Sequence, residues 1–237
     1  MDGNNNEQNN VNQNMQQNAN NNFTQQPGNN FQNNDIKKEA QEAKGFFSSF
    51  FKDPIGEIQK TCANYDKKYL KIAIIIFVVW LVVIFASNIL STASSYLFGP
   101  WGSFARFFER FFDNFGDLIK SLIAPICTIA ILSALTYGVK KGNKKSFMQI
   151  ASSITIAKMP VVIAEIVSLL TIVNTRIGTF TSAFSGFCSI LSTVLLFFTI
   201  KDTLGEKENK TSFWKFALII GIYYAIKFVL TFINIYI

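Results

Sequence analysis

Five long apolar runs occupy the last two-thirds of the chain, near residues 72–92, 118–139, 147–173, 179–200 and 213–236. At ~1.5 Å of helical rise per residue, each can cross a hydrocarbon core about 30 Å thick. Runs of this kind restrict the fold severely. Backbone N–H and C=O groups in lipid must be satisfied within their own segment, which an α-helix achieves. The pattern predicts an all-α polytopic membrane protein: a bundle of five transmembrane helices over residues 72–237, with amphipathic interfacial helices beside it.

The distribution of charge supplies an orientation. The chain carries a net charge of +7 with a pI near 9.3. Of its 22 basic residues, 16 lie before the first run or in and beside the second and fourth gaps. Arg106, Arg110, Lys120 and Arg176 flank the first and third gaps, and Lys158 and Lys227 lie inside runs. Short-loop Lys and Arg mark the cytoplasmic side. The expectation is a multi-pass plasma-membrane protein with a cytoplasmic N-terminus and, after five crossings, a C-terminus outside. The basic excess is then a topology signal, and no nucleic-acid partner is expected because no basic stripe interleaved with aromatics occurs away from the membrane flanks. About 70 mostly polar residues precede the first run, which is expected to act as an internal signal anchor.

Several chemistries are excluded. The chain has no His, and Cys62, Cys127 and Cys188 are isolated. The usual zinc and haem sites, and Ser-His or Cys-His catalysis, have no residues to build them. No metal, cofactor or catalytic residue is expected.

Residues 1–34 contain 15 Asn and 7 Gln with almost nothing large and apolar, a composition that predicts a disordered arm. Residues 35–71 follow as a charged and then amphipathic segment. Phe46, Phe47, Phe50 and Phe51 share one helical face between Lys44 and Lys52, suited either to the inner headgroup region or to packing on the ends of the spans. Asp53-Pro54 reads as a helix cap followed by proline at the first helical position.

A second Phe-rich segment follows a turn at Gly99-Pro100-Trp101-Gly102. Phe104, Phe107, Phe108, Phe111, Phe112 and Phe115 recur at helical spacing, with Arg106, Glu109, Arg110, Asp113 and Asn114 on the other face. This amphipathic pattern predicts a helix lying flat on the outer membrane surface. Stripes of small residues, Ser182-Gly186-Ser189-Thr193 and Ala217-Gly221-Ala225, suggest close helix packing within a compact bundle.

Lys158, Pro160 and Glu165 in the third run and Lys227 in the fifth form a candidate intramembrane polar site. A charge at mid-bilayer costs ~2.5 to 3.5 kcal/mol on insertion scales, so each should face protein or a wet cavity. Pro160 is expected to kink the helix and free a carbonyl that, with Ser153 or Thr155, stabilises Lys158. Two readings stay open: Glu165 facing Lys227 or Lys158 in a site for ion or proton movement, and three separate side chains that snorkel or meet interfacial groups.

The outline resembles the Yip family. It has a polar N-terminal arm, the helix entry Asp53-Pro54-Ile55-Gly56-Glu57-Ile58, five clustered spans, and a third span in which Lys144-Lys145-Ser146-Phe147-Met148-Gln149 leads to Ala157-Lys158-Met159-Pro160. The resemblance covers about residues 46–236 and is similar to the prokaryotic type. It implies an integral membrane protein whose eukaryotic relatives serve vesicle trafficking and bind small GTPases. Their Tyr-Gly-Pro signature belongs before span one, whereas Tyr96-Leu97-Phe98-Gly99-Pro100 follows it here, so GTPase binding is not carried over. The expected function is a non-enzymatic membrane-organising or partner-binding component. Its partners are the lipid bilayer and a protein or second copy of the chain. The alternative is a small ion or solute transporter or channel subunit using the intramembrane Lys, Glu and Pro.

Overall fold

The computed structural model describes residues 30–63, 67–96, 103–140, 145–173, 177–206 and 208–232. The Asn-rich stretch through residue 29, the turn at 99–102, most of the basic turn (141–144), the core of the third connection (174–176) and the end of the fifth run (233–236) lie outside these residues. The described elements are α1 (Asn30–Lys52), α2 (Pro54–Ala63), α3 (Lys67–Tyr96), α4 (Phe104–Asp113), α5 (Phe115–Val139), α6 (Phe147–Ala157), α7 (Met159–Val173), α8 (Gly178–Leu204) and α9 (Asn209–Phe232). No strand occurs among the described residues.

Among the described residues four helices, α3, α5, α8 and α9, are long and apolar enough to cross a membrane. The pair α6 and α7, bent by 42° at Lys158, makes a fifth when read as one broken span. The chain is an all-α, multi-pass membrane protein. Large apolar side chains such as Val82, Phe187, Ile190, Trp214 and Phe228 face outward. In lipid such exposure carries no penalty, since acyl chains are as apolar as the side chains themselves.

The short helix α6 is the centre of the bundle, touching α2, α3, α5 and α8. Gln149, Ile150 and residues 152–157 on it are buried. Helix α9 packs at the edge against α5 and α8, where Tyr223 Oη and Thr128 Oγ1 lie 3.1 Å apart.

The small-residue stripes do not make these contacts. Ser182, Gly186, Ser189 and Thr193 are all exposed, as are Gly221 and Ala225, and a Cβ added at Gly186 or Gly221 meets nothing within 4 Å. Helix α8 instead buries Cys188, Ser192, Leu195, Leu196 and Thr199. A hydroxyl can face lipid when its own helix satisfies it, as Thr193 Oγ1 shows by donating to the Ser189 carbonyl at 2.9 Å.

The chain divides into two compact units, Met1–Phe46 and Phe47–Ile237. In the first, α1 begins at Asn30, ahead of the shift to charged residues at Asp35. Once a helix is nucleated, each added residue gains a hydrogen bond, so the ladder extends into residues of modest propensity. In the second, Asp53 ends α1 and caps α2: its Oδ1 accepts from the Gly56 N–H at 2.9 Å, and Pro54 opens the helix. Helix α2 then docks on α6 and α8, burying Ile58, Thr61 and Cys62.

Candidate functional site

Helix α4 is the most distinctive surface. Ser103 caps it, its Oγ accepting from Arg106 N at 3.3 Å. The helix stops at Asn114, whose N–H returns to the Arg110 carbonyl at 3.0 Å before α5 begins. The break separates α4 from the span that follows. No residue of α4 is buried, although it packs beside α3 and α5. Phe107 and Phe111 stack with centroids 6.1 Å apart and are half-buried. Phe104, Phe108 and Phe112 form an outward row exposed by 71, 50 and 69 %, continued by Phe115 at 46 %. The polar face compensates its own charge, with Arg110 and Asp113 paired at 3.7 Å. Removing one Phe side chain from water gains about 1.5 to 3 kcal/mol. Nothing in the described chain covers this row.

The earlier Phe group divides. Phe46 and Phe50 are buried, Phe47 is half-buried, and Phe51 is 66 % exposed. Positions i and i+1 are about 100° apart around a helix. One shared face therefore resolves into a buried line at Phe46 and Phe50 and an outer one at Phe51.

The broken span places the intramembrane residues as follows. Lys158 stands at the break, its N–H donating to the carbonyls of Ile154 and Thr155, each at 3.1 Å. Its own carbonyl accepts from Val161 at 2.9 Å, so the chain turns around this residue. Pro160, buried in the first turn of α7, has no N–H to continue the ladder of α6. The hydroxyls of Ser153 and Thr155 bond back to the carbonyls of Gln149 and Ala151, at 3.0 and 2.8 Å. The half-buried Lys158 lies within electrostatic reach of Lys227 on α9, a like charge. Glu165 is half-buried on α7, and no ion pair to it occurs among the described residues. The bundle thus brings two lysines near each other and leaves the carboxylate outside ion-pair distance of either.

A polar cluster at the Lys-rich end, absent from the sequence reading, ties α2, α6 and α8 together. Gln149 Nε2 donates to the Cys62 carbonyl at 3.1 Å, and the Cys62 thiol points at the Thr199 carbonyl at 3.9 Å. Burial pushes the Cys62 thiol up. Lys145 Nζ donates to the Asp202 carbonyl at 2.7 Å, and Lys215 pairs with Glu206. Desolvation holds Lys145 below the ordinary lysine range, outweighing the attraction of Asp202. Gln59, Lys145, Lys201, Asp202 and Glu206 line a cavity of about 340 Å³. Gln149, a lone polar residue just inside an apolar run, and Asp202, two residues beyond the end of one, were the available signals. Neither matches a spacing pattern, and their partners lie 87 and 57 residues away. Among the described residues no group of His, Cys, Asp and Glu is arranged to hold a metal. Comparison with protein-family models, with characterised proteins and with solved structures returns no match.

Proposed function

We propose that this chain is a non-enzymatic, membrane-organising or partner-binding protein of Yip-like type, inserted in the plasma membrane with its N-terminus cytosolic and its C-terminus outside. The observation that carries this reading is the uncovered row Phe104, Phe108 and Phe112 on a capped, separate helix with a charged opposite face. Such a helix lies in the headgroup region with its rings among the upper acyl chains, where it spreads the lipids of one leaflet. It follows α3 at the end remote from the Lys-rich turns, which by the positive-inside rule is the outer leaflet.

The test is full-length protein reconstituted into liposomes, compared with Phe108→Ser combined with Phe112→Ser. Loss of vesicle remodelling, with insertion and helicity retained, is expected. Unchanged remodelling at equal insertion sinks the proposal.

A transporter or channel reading draws on one observation, a broken span at the bundle centre with Lys158 at the break. Broken helices at membrane depth often hold ions or substrates. Proton or cation flux into proteoliposomes that Glu165→Gln abolishes would establish it. The separation of Glu165 from both lysines favours the first reading.

A further inference from the structure

Between α3, α5 and α6 runs an apolar groove of about 250 Å³, walled by Leu70 and Phe77, by Ile129 and Ala130, and by Phe147 and Ala151. On α6 the lining extends from Phe147 to Thr155, eight helical rises or about 12 Å along the axis. That is less than half of a hydrocarbon core ~30 Å thick. The groove therefore belongs to one leaflet, the one at the Lys-rich end where α3 and α6 begin.

Its rim is aromatic and then cationic. Tyr137 on α5 meets Phe147 edge-on, with centroids 6.3 Å apart, and Lys140 Nζ stands 4.1 Å over the Tyr137 ring. An ammonium has three donors, and the Lys145 carbonyl takes one from Lys140. On the α3 wall, Lys67 and Lys71 are exposed, both on one flank of Leu70 around the helix, and Lys68 lies over the Tyr69 ring at 5.9 Å. Neither α3 nor α6 contains an acidic residue.

We propose that this groove holds one acyl chain of an anionic phospholipid, its phosphate set against Lys140 and the lysines of the first turns of α3. Apolar floor, aromatic collar and cationic rim follow the order of chain, glycerol and phosphate in a lipid. At membrane depth only a lipid or another protein can reach the groove. An anionic phospholipid carries its negative charge at the interface directly above its acyl chains, the depth at which this rim stands. Each lysine near an anionic headgroup favours binding roughly fivefold. The inference rests on the membrane-spanning arrangement of α3, α5 and α6 and not on the role proposed for α4.

The test uses the full chain, extracted gently from vesicles of phosphatidylglycerol and phosphatidylcholine in equal amounts, with retained lipid counted by native mass spectrometry. Wild type is expected to keep one lipid, predominantly phosphatidylglycerol. Lys140→Gln should reduce that preference about fivefold. Ala130→Phe, at an exposed position where folding is tolerant, should expel the lipid, and Ala151→Leu should weaken it from the opposite wall. Phe108→Ser with Phe112→Ser should retain lipid as wild type does. Equal retention of the two lipids, or unchanged retention in Ala130→Phe, overturns the proposal. So does displacement by water-soluble glycerol phosphate, which would show a charge site without a chain. A lipid-free dimer that Ala130→Phe dissociates would give the groove to a second copy. Lipid lost from the Phe108 and Phe112 variant would move the binding to α4.

Discussion

A side chain at Gly56 would displace the flexible carboxylate of its neighbour. A Cβ built there falls 2.0 Å from Asp53 Oδ2, the carboxylate that caps α2. Gly56→Ala should therefore displace the cap, a loss of about 1 kcal/mol that the better helix propensity of alanine largely offsets, leaving the Tm in detergent near that of the wild type. Asp53→Ala should cost about 1 kcal/mol, and Gly56→Ala added to it should recover part of that loss, because the cap is already gone. Gln149→Leu should cost more, about 1 to 3 kcal/mol, since it orphans the buried carbonyl of Cys62. Lys145 imposes a pH dependence. Its folded-state affinity for a proton lies below that of an unfolded lysine, about 10.4. Between the two values the unfolded chain binds more protons, so stability rises with pH through that window and is lost again as pH falls through the folded value. Relative to Lys145→Gln, the Tm of the wild type should climb as pH approaches that of free lysine; a constant difference would refute the assignment. Cap chemistry at Asp53 was legible because it is local in sequence. The partners of Gln149 and Lys145 were not, because neither a single amide in an apolar run nor one lysine of a basic turn names a distant carbonyl.

At the scale of elements, helix periodicity carried most of the information. The Phe spacing of α4 made an amphipathic helix readable, and Pro160 marked the bend between α6 and α7. Hidden was which face each helix buries. The small residues of α8 looked like a contact stripe, yet they face outward, as the hydroxyl of Thr193 can because its own helix satisfies it. The docking of α2 on α6 and α8 was equally unreadable. It yields a direct prediction: with Cys127→Ser and Cys188→Ser as background, Cys62 should resist maleimide while α2 stays docked, its thiol being buried and its pKa raised. Labelling should then track global unfolding in denaturant. Fast labelling of folded protein would mean that α2 opens on its own.

For the whole molecule, the orientation makes the broadest prediction. In a background with all three cysteines replaced by Ser, Ser103→Cys beside α4 should react with a membrane-impermeant thiol reagent on intact cells. Ser146→Cys beside α6 should react only after permeabilisation; the reverse pattern would invert the topology and move α4 to the inner leaflet. By itself the sequence determined that this chain enters a bilayer as helices, because long apolar runs must satisfy their backbone internally. Only the tertiary structure decided that the short broken helix α6 is the hub, that Lys158 approaches Lys227 and not Glu165, and that an apolar groove opens between α3, α5 and α6. The reason lies in the solvent. Lipid accepts almost any apolar face, so hydrophobicity cannot say which side of a span turns inward, and side-chain packing makes that choice.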